Sequence, residues 1–71
     1  MKYYFNFNQK YATLDSHWKR SAWINDVRSW LDEHAGLEEI EWEWARGDLL
    51  AVGVNIRRKE IATLFRLRFG V

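Results

Sequence analysis

The chain has no cysteine and no proline, and only four glycines and one methionine among 71 residues. Without cysteine there is no disulfide staple and no thiolate metal site. No apolar run approaches the roughly 18 residues of a membrane span, and the opening Lys2-Tyr3-Tyr4-Phe5-Asn6 has no signal-peptide core. A charge bias is missing too: eleven Lys and Arg face ten Asp and Glu, for a net charge of +1 and no basic excess. What the chain does hold is apolar mass: 48% hydrophobic residues and 17% aromatic, five Trp among them. With that content a 30% charged chain is not a disordered one. A domain this small buries only about 60% of its unfolded surface, so its core must be dense. Residues 1–71 are expected to form a single small α+β domain, cytoplasmic and free of cofactors.

Lys2 to Asn8 alternates Tyr3, Phe5 and Phe7 against Tyr4, Asn6 and Asn8, the period of a strand with one buried face. Residues 9–16 are polar and end in possible helix caps. From about residue 19 to Ala35, Trp23, Ile24, Val27, Trp30 and Leu31 follow helical spacing, and Gly36 is placed to take a left-handed stop. Ile40, Trp42 and Trp44 then alternate with Glu39, Glu41 and Glu43. Arg46-Gly47-Asp48 reads as a hairpin turn with positive φ at Gly47. Val52, Val54 and Ile56 form a further strand, Arg57 to Ile61 a second turn, and Phe65, Leu67 and Phe69 a last strand.

This order, β-α-β-β-β, predicts a two-layer α+β sandwich with one helix packed on one face of a four-stranded, mainly antiparallel sheet. Packing then accounts for every Trp except Trp18, which falls about 140° round the helix from Trp23. Keeping inward residues opposite one another pairs Trp42 with Val52 and Ile40 with Val54. The outward rows become Glu41–Gly53–Arg68 and Glu39–Asn55–Arg66. An acidic strand and a basic strand would thus flank a flat centre, a surface able to orient a charged partner. Six acids and no Lys or Arg lie between Asp32 and Glu43, and six bases with two acids between Arg46 and Arg68. Lys19 and Arg20 near the helix start, with Asp32 and Glu33 near its end, oppose the macrodipole.

Catalytic chemistry has little to stand on. His17 and His34 are the only histidines, and no nucleophile, base and orienting group fall into a recognisable spacing. His34 continues the helix stripe as a partly buried structural or capping residue. Glu39, Glu41 and Glu43 share a strand face, but alternating acids there are ordinarily solvating, and no metal is expected. The four glycines are isolated, so there is no phosphate loop.

The leading expectation is a small non-catalytic protein-binding module, an inhibitor or adaptor that occludes the surface of another protein or ribonucleoprotein complex. So short a reading frame, starting at Met1, fits accessory proteins of phages and mobile elements, including anti-defence types. The partner-binding residues would be Trp18, Lys19, Arg20, Glu39, Glu41, Glu43, Arg66 and Arg68, with Tyr4, Tyr11 and Leu64 as weaker contributors. Trp and Arg dominate interface energetics, which places an exposed Trp18 beside Arg20 at the head of that set. The alternative is nucleic-acid binding through Arg57, Arg58, Lys59, Arg66 and Arg68. The strand–helix–three-strand order with late arginines is loosely similar to small ribosome-dependent toxin nucleases, a resemblance that implies mRNA cleavage without cysteine or metal. It lies at the level of fold, and no motif of that family is matched residue by residue. Opposite charges on one face would also suit an antiparallel homodimer.

Overall fold

The structure, a computed structural model, describes residues 2–47 and 50–71. Strand β1 (Tyr3–Asn6) follows the expected alternation, with Tyr3 and Phe5 half-buried and Tyr4 and Asn6 exposed. The chain then enters α1 (Asn8–Ala12), a single turn in the stretch expected to be irregular. Tyr11 N donates to Phe7 O at 2.9 Å, and Thr13 Oγ1 returns to Lys10 O at 2.7 Å. Phe7 itself is fully buried and packs edge-on against Trp23, with centroids 4.7 Å apart.

Helix α2 (His17–His34) begins where Ser16, in extended conformation, accepts a hydrogen bond from Lys19 N at 3.2 Å. A serine cap satisfies one of the otherwise orphaned first-turn N–H groups. Starting at His17 moves Arg20 past the first turn, and the Lys19 ammonium meets Asp15 at 2.9 Å. The reversed dipole charges therefore matter only at the other end, where Asp32 and Glu33 do stand in the last turn. Gly36, at φ 108°, ends the helix while both it and Ala35 donate to Leu31 O.

Several expectations are corrected beyond this point. The strand expected from Glu39 starts only at Trp42, because residues 37–41 close a turn: Ile40 N and Glu41 N both donate to Leu37 O. Ile40, expected in the core, is consequently exposed. Strands β2 (Trp42–Ala45) and β3 (Gly53–Ile56) pair with Trp42 opposite Ile56 and Trp44 opposite Val54. That register is displaced four residues from the one expected. An even displacement keeps Trp42, Trp44, Val54 and Ile56 inward, so alternation alone could not choose between the two. Here the connection runs through residues 46–52, longer than the Arg46-Gly47-Asp48 turn, whose Asp48 lies outside the described residues. Gly47 does not adopt positive φ; its missing side chain is needed because a Cβ would lie 2.6 Å from Val52 Cγ1 and 2.7 Å from Leu50 O.

The largest correction is at the C-terminus. Residues expected to form the second turn and fourth strand make α3 (Lys59–Phe69), so the described residues form a three-stranded sheet and three helices. Phe65 and Phe69 are shared by both patterns, but Ala62 joins them on the buried face while Leu67, an alternation residue, turns out to solvent. Alternation would bury Leu67 with Phe65 and Phe69; the helical period buries Ala62 in its place. Glu60 in the first turn and Arg66 and Arg68 in the last suit the macrodipole. Gly70, at φ 68°, provides the left-handed stop and donates to Arg66 O at 2.8 Å.

The sheet order is β1-β3-β2, antiparallel throughout. With no fourth strand beside β3, that edge is filled by β1. Both α2 and α3 cover one face. Val27 and Leu31 from α2, Ala62, Phe65 and Phe69 from α3, and Trp42, Trp44, Val54 and Ile56 from the sheet form one core. Trp23 and Trp30 pack at its margin, and Trp42 Nε1 donates to Gly36 O at 3.1 Å. No helix among the described residues is long and apolar enough to cross a membrane.

Candidate functional site

The helix-free face of the sheet carries the outward rows Tyr4–Asn55–Glu43 and Asn6–Gly53–Ala45. The expected rows ending in Arg66 and Arg68 do not form, because those residues sit on α3. What answers the acidic strand is local. Lys2 pairs with Glu43 across the sheet, Arg58 reaches Glu41 at 3.6 Å, and Arg57 lines the same shallow dent as Glu39, Glu41 and Glu43. That dent has a volume of about 10 Å³, room for about one water and no small-molecule substrate. Glu39 holds φ 69°, an uncommon state for a residue with a Cβ, and its turn displays Leu37 and Ile40 to solvent. The Tyr4 ring closes down on the centre of the face: a Cβ on Gly53 would meet its Cε1 at 2.8 Å, and Asn6 Nδ2 donates to its hydroxyl at 3.0 Å. The open face is thus charge-compensated within itself.

Trp18 occupies the outer side of the first turn of α2 and is 76% exposed. Its surroundings are fixed. Ser16 caps the turn, Lys19 is tethered to Asp15, and Arg20 Nε donates to Leu14 O at 3.0 Å with its guanidinium 5.8 Å from the Tyr11 ring centre. Tyr11 is held in turn by its hydroxyl, which donates to Ala51 O, and burial pushes its pKa up against the lowering influence of Arg20. The result is a large apolar side chain on a capped turn next to Lys19, with Arg20 turned back onto Leu14 and Tyr11. Of the sequence-derived partner set, Trp18 and Lys19 adjoin on this turn, while Arg20 lies about 200° round the helix from Trp18. Glu39, Glu41 and Glu43 form a second group at the β2 edge, and Arg66 and Arg68 a third along α3.

The five cations of the nucleic-acid alternative do not make one stripe. Arg58 is engaged with Ala35 O at 3.2 Å and with Glu41, and the Arg68 guanidinium lies 4.9 Å from the Phe69 ring. Lys59 and Arg66 share one side of α3, while Arg68 is turned about 200° from Arg66. Neither histidine is poised for catalysis. His17 is exposed. His34, expected to be partly buried, is exposed too, stacked on Trp30 at 4.3 Å with Nδ1 2.9 Å from Trp30 O. Among the described residues no three His, Asp or Glu side chains gather as a metal site would require.

Sequence reasoning missed Leu37 and Leu67, and it placed Ile40 inside. All three are exposed apolar side chains on the finished surface. For Leu67 the signal was available, since Ile61, Ala62, Phe65 and Phe69 already follow helical spacing. For Leu37 and Ile40 nothing local marked the turn. Compared with protein-family models, with curated proteins and with solved structures, the chain finds no match in any of the three.

Proposed function

We propose that this protein is a non-catalytic protein-binding module, an inhibitor or adaptor that acts by occluding a surface of its partner. The observation that carries this reading is Trp18. A tryptophan left 76% exposed in a chain that packs its other four against one core exposes apolar area without a folding role. Presented on a capped turn next to Lys19, it is a residue type that dominates interface hot spots. The face it marks replaces the sheet face expected from the charge pattern, since Glu41 and Glu43 there are already paired with Arg58 and Lys2.

The test compares wild type with Trp18→Ala, both immobilised and exposed to extract of the source cells. Both variants should melt at the same temperature. A protein retained in stoichiometric amount by wild type, and weakened at least about tenfold by the substitution, supports the reading, because hot-spot residues contribute about 2 kcal/mol or more. Equal retention by both overturns the role of Trp18. Retention of nuclease-sensitive nucleic acid instead would favour the alternative through Arg57, Arg58, Lys59, Arg66 and Arg68.

A further inference from the structure

Strand β1 is an uncovered edge of the sheet, and α3 runs beside it. Between them lies a groove of about 290 Å³ lined by Tyr3, Phe5, Lys59, Ala62, Thr63 and Arg66, with Tyr4 at its rim. The spacing of Lys59, Ala62, Thr63 and Arg66 places them on one side of the helix. The floor is apolar, with Phe5 packed on Phe65 at 5.2 Å. Its two charged residues are both cations, and among the described residues neither takes part in an ion pair.

The main chain of β1 is poised in the same direction. Phe7 N donates to Val52 O at 2.8 Å, and β1 pairs with β3 as Phe5 opposite Val54 and Tyr3 opposite Ile56. In an antiparallel ladder alternate residues turn their N–H and C=O to the same side. Tyr3, Phe5 and Phe7 therefore face β3, and Tyr4 and Asn6 turn theirs to the open edge. Exposed edges of this kind accept an added strand, with main-chain bonds giving affinity and side-chain pockets giving specificity.

We infer that the β1 edge and the α3 groove together form a docking site for an extended acidic peptide that adds as a fourth, antiparallel strand. Every second residue of such a strand faces the groove, at about 7 Å intervals. Lys59 and Arg66 stand seven residues apart, about 10 Å along the helix axis, and their long side chains reach two acids placed two residues apart. A second copy of this chain is disfavoured at the site. Pairing β1 with β1 would set the Lys59 and Arg66 of one molecule against those of the other. The inference does not rest on the Trp18 reading: Trp18 does not line this groove, so Trp18→Ala should leave peptide binding unchanged.

The probe is a fluorescein-labelled peptide of four Thr-Glu repeats, titrated at 50 mM salt, with a Thr-Lys repeat of equal length as control. The expected result is saturable binding of the acidic peptide alone. It should weaken at least tenfold in the double variant Lys59→Glu/Arg66→Glu, whose substituted positions are exposed. Amide hydrogen exchange adds a readout that simple charge attraction would not move: Tyr4 N–H gains protection on binding, while Phe5 N–H, already in the ladder, does not change. Binding without Tyr4 protection overturns strand addition. So does binding indifferent to the double charge reversal, or no saturable binding at all. A dimer by sedimentation that protects Tyr4 N–H without peptide makes a second copy the occupant and overturns the peptide.

Discussion

Tyr11 is the side chain that ties the short α1 turn to the rest of the molecule. Its hydroxyl donates to Ala51 O forty residues away, its ring stands edge-on to both Phe7 and Trp23, and Arg20 lies against it. Burial favours the neutral phenol, so its folded pKa lies above the ordinary value near 10. A pKa raised on folding contributes stability that is complete below the unfolded pKa and lost as pH rises through the folded one. The wild type should therefore lose stability above about pH 10 more steeply than Tyr11→Phe. At neutral pH the same substitution should cost about 0.5–1.5 kcal/mol, the worth of one hydrogen bond. Urea unfolding of both proteins at pH 7 and at pH 10.5 checks both statements, and parallel losses at the higher pH would dismiss the role given to this phenol.

Helix α3 is where two periodicities compete for the same residues. Phe65, Leu67 and Phe69 satisfy alternation, while Ile61, Ala62, Phe65 and Phe69 satisfy the helical spacing; Leu67 separates the two. As a strand residue it would face the core. In the helix it is 78% exposed. Leu67→Lys is expected to change stability by no more than about 0.5 kcal/mol, as surface substitutions usually do. A buried Leu lost in this way would cost about 2–5 kcal/mol, before any penalty for the charge. Thermal melting of Leu67→Lys thus distinguishes the helix from the strand in one experiment. The long window 59–69 made the helix legible. A reading anchored on the last five residues did not, because five residues are short enough to fit either period.

Three parts of the molecule meet at Arg58. It precedes α3, its Nη2 donates to the carbonyl of Ala35 at the end of α2, and its Nε faces Glu41 in the turn before β2. Arg57, its neighbour, is exposed, and its backbone N–H bonds to Glu41 O whatever its side chain. Arg58→Ala should lower stability by about 1–2 kcal/mol, the low end for hydrogen bonds from a charged donor because the side chain is half exposed. Arg57→Ala should remain within about 0.5 kcal/mol of wild type. Chemical unfolding of the pair measures the difference. Equal losses would show that Arg58 is an ordinary surface cation and that the junction is held by the core alone.

The amino-acid sequence by itself determined the α+β class, the β1 alternation, the long amphipathic helix with its Ser16 and Gly36 signals, and the packing of four tryptophans against one core. Each of these follows from local spacing, which a single sequence carries in full. The exposure of Trp18 was half legible, since its angle on the helix excluded the core but not a fold-back onto it. What only the tertiary structure decided was pairing. Trp42 opposite Ile56 and Trp42 opposite Val52 both leave Trp42, Trp44, Val54 and Ile56 inward, so alternation selects neither. With residues 59–69 in a helix there is no basic strand, β1 stands beside β3, and Glu41 and Glu43 pair with Arg58 and Lys2. Arg66 then came to face the β1 edge instead of the open sheet. Contacts between residues forty positions apart depend on where every intervening element packs, and no local pattern records that.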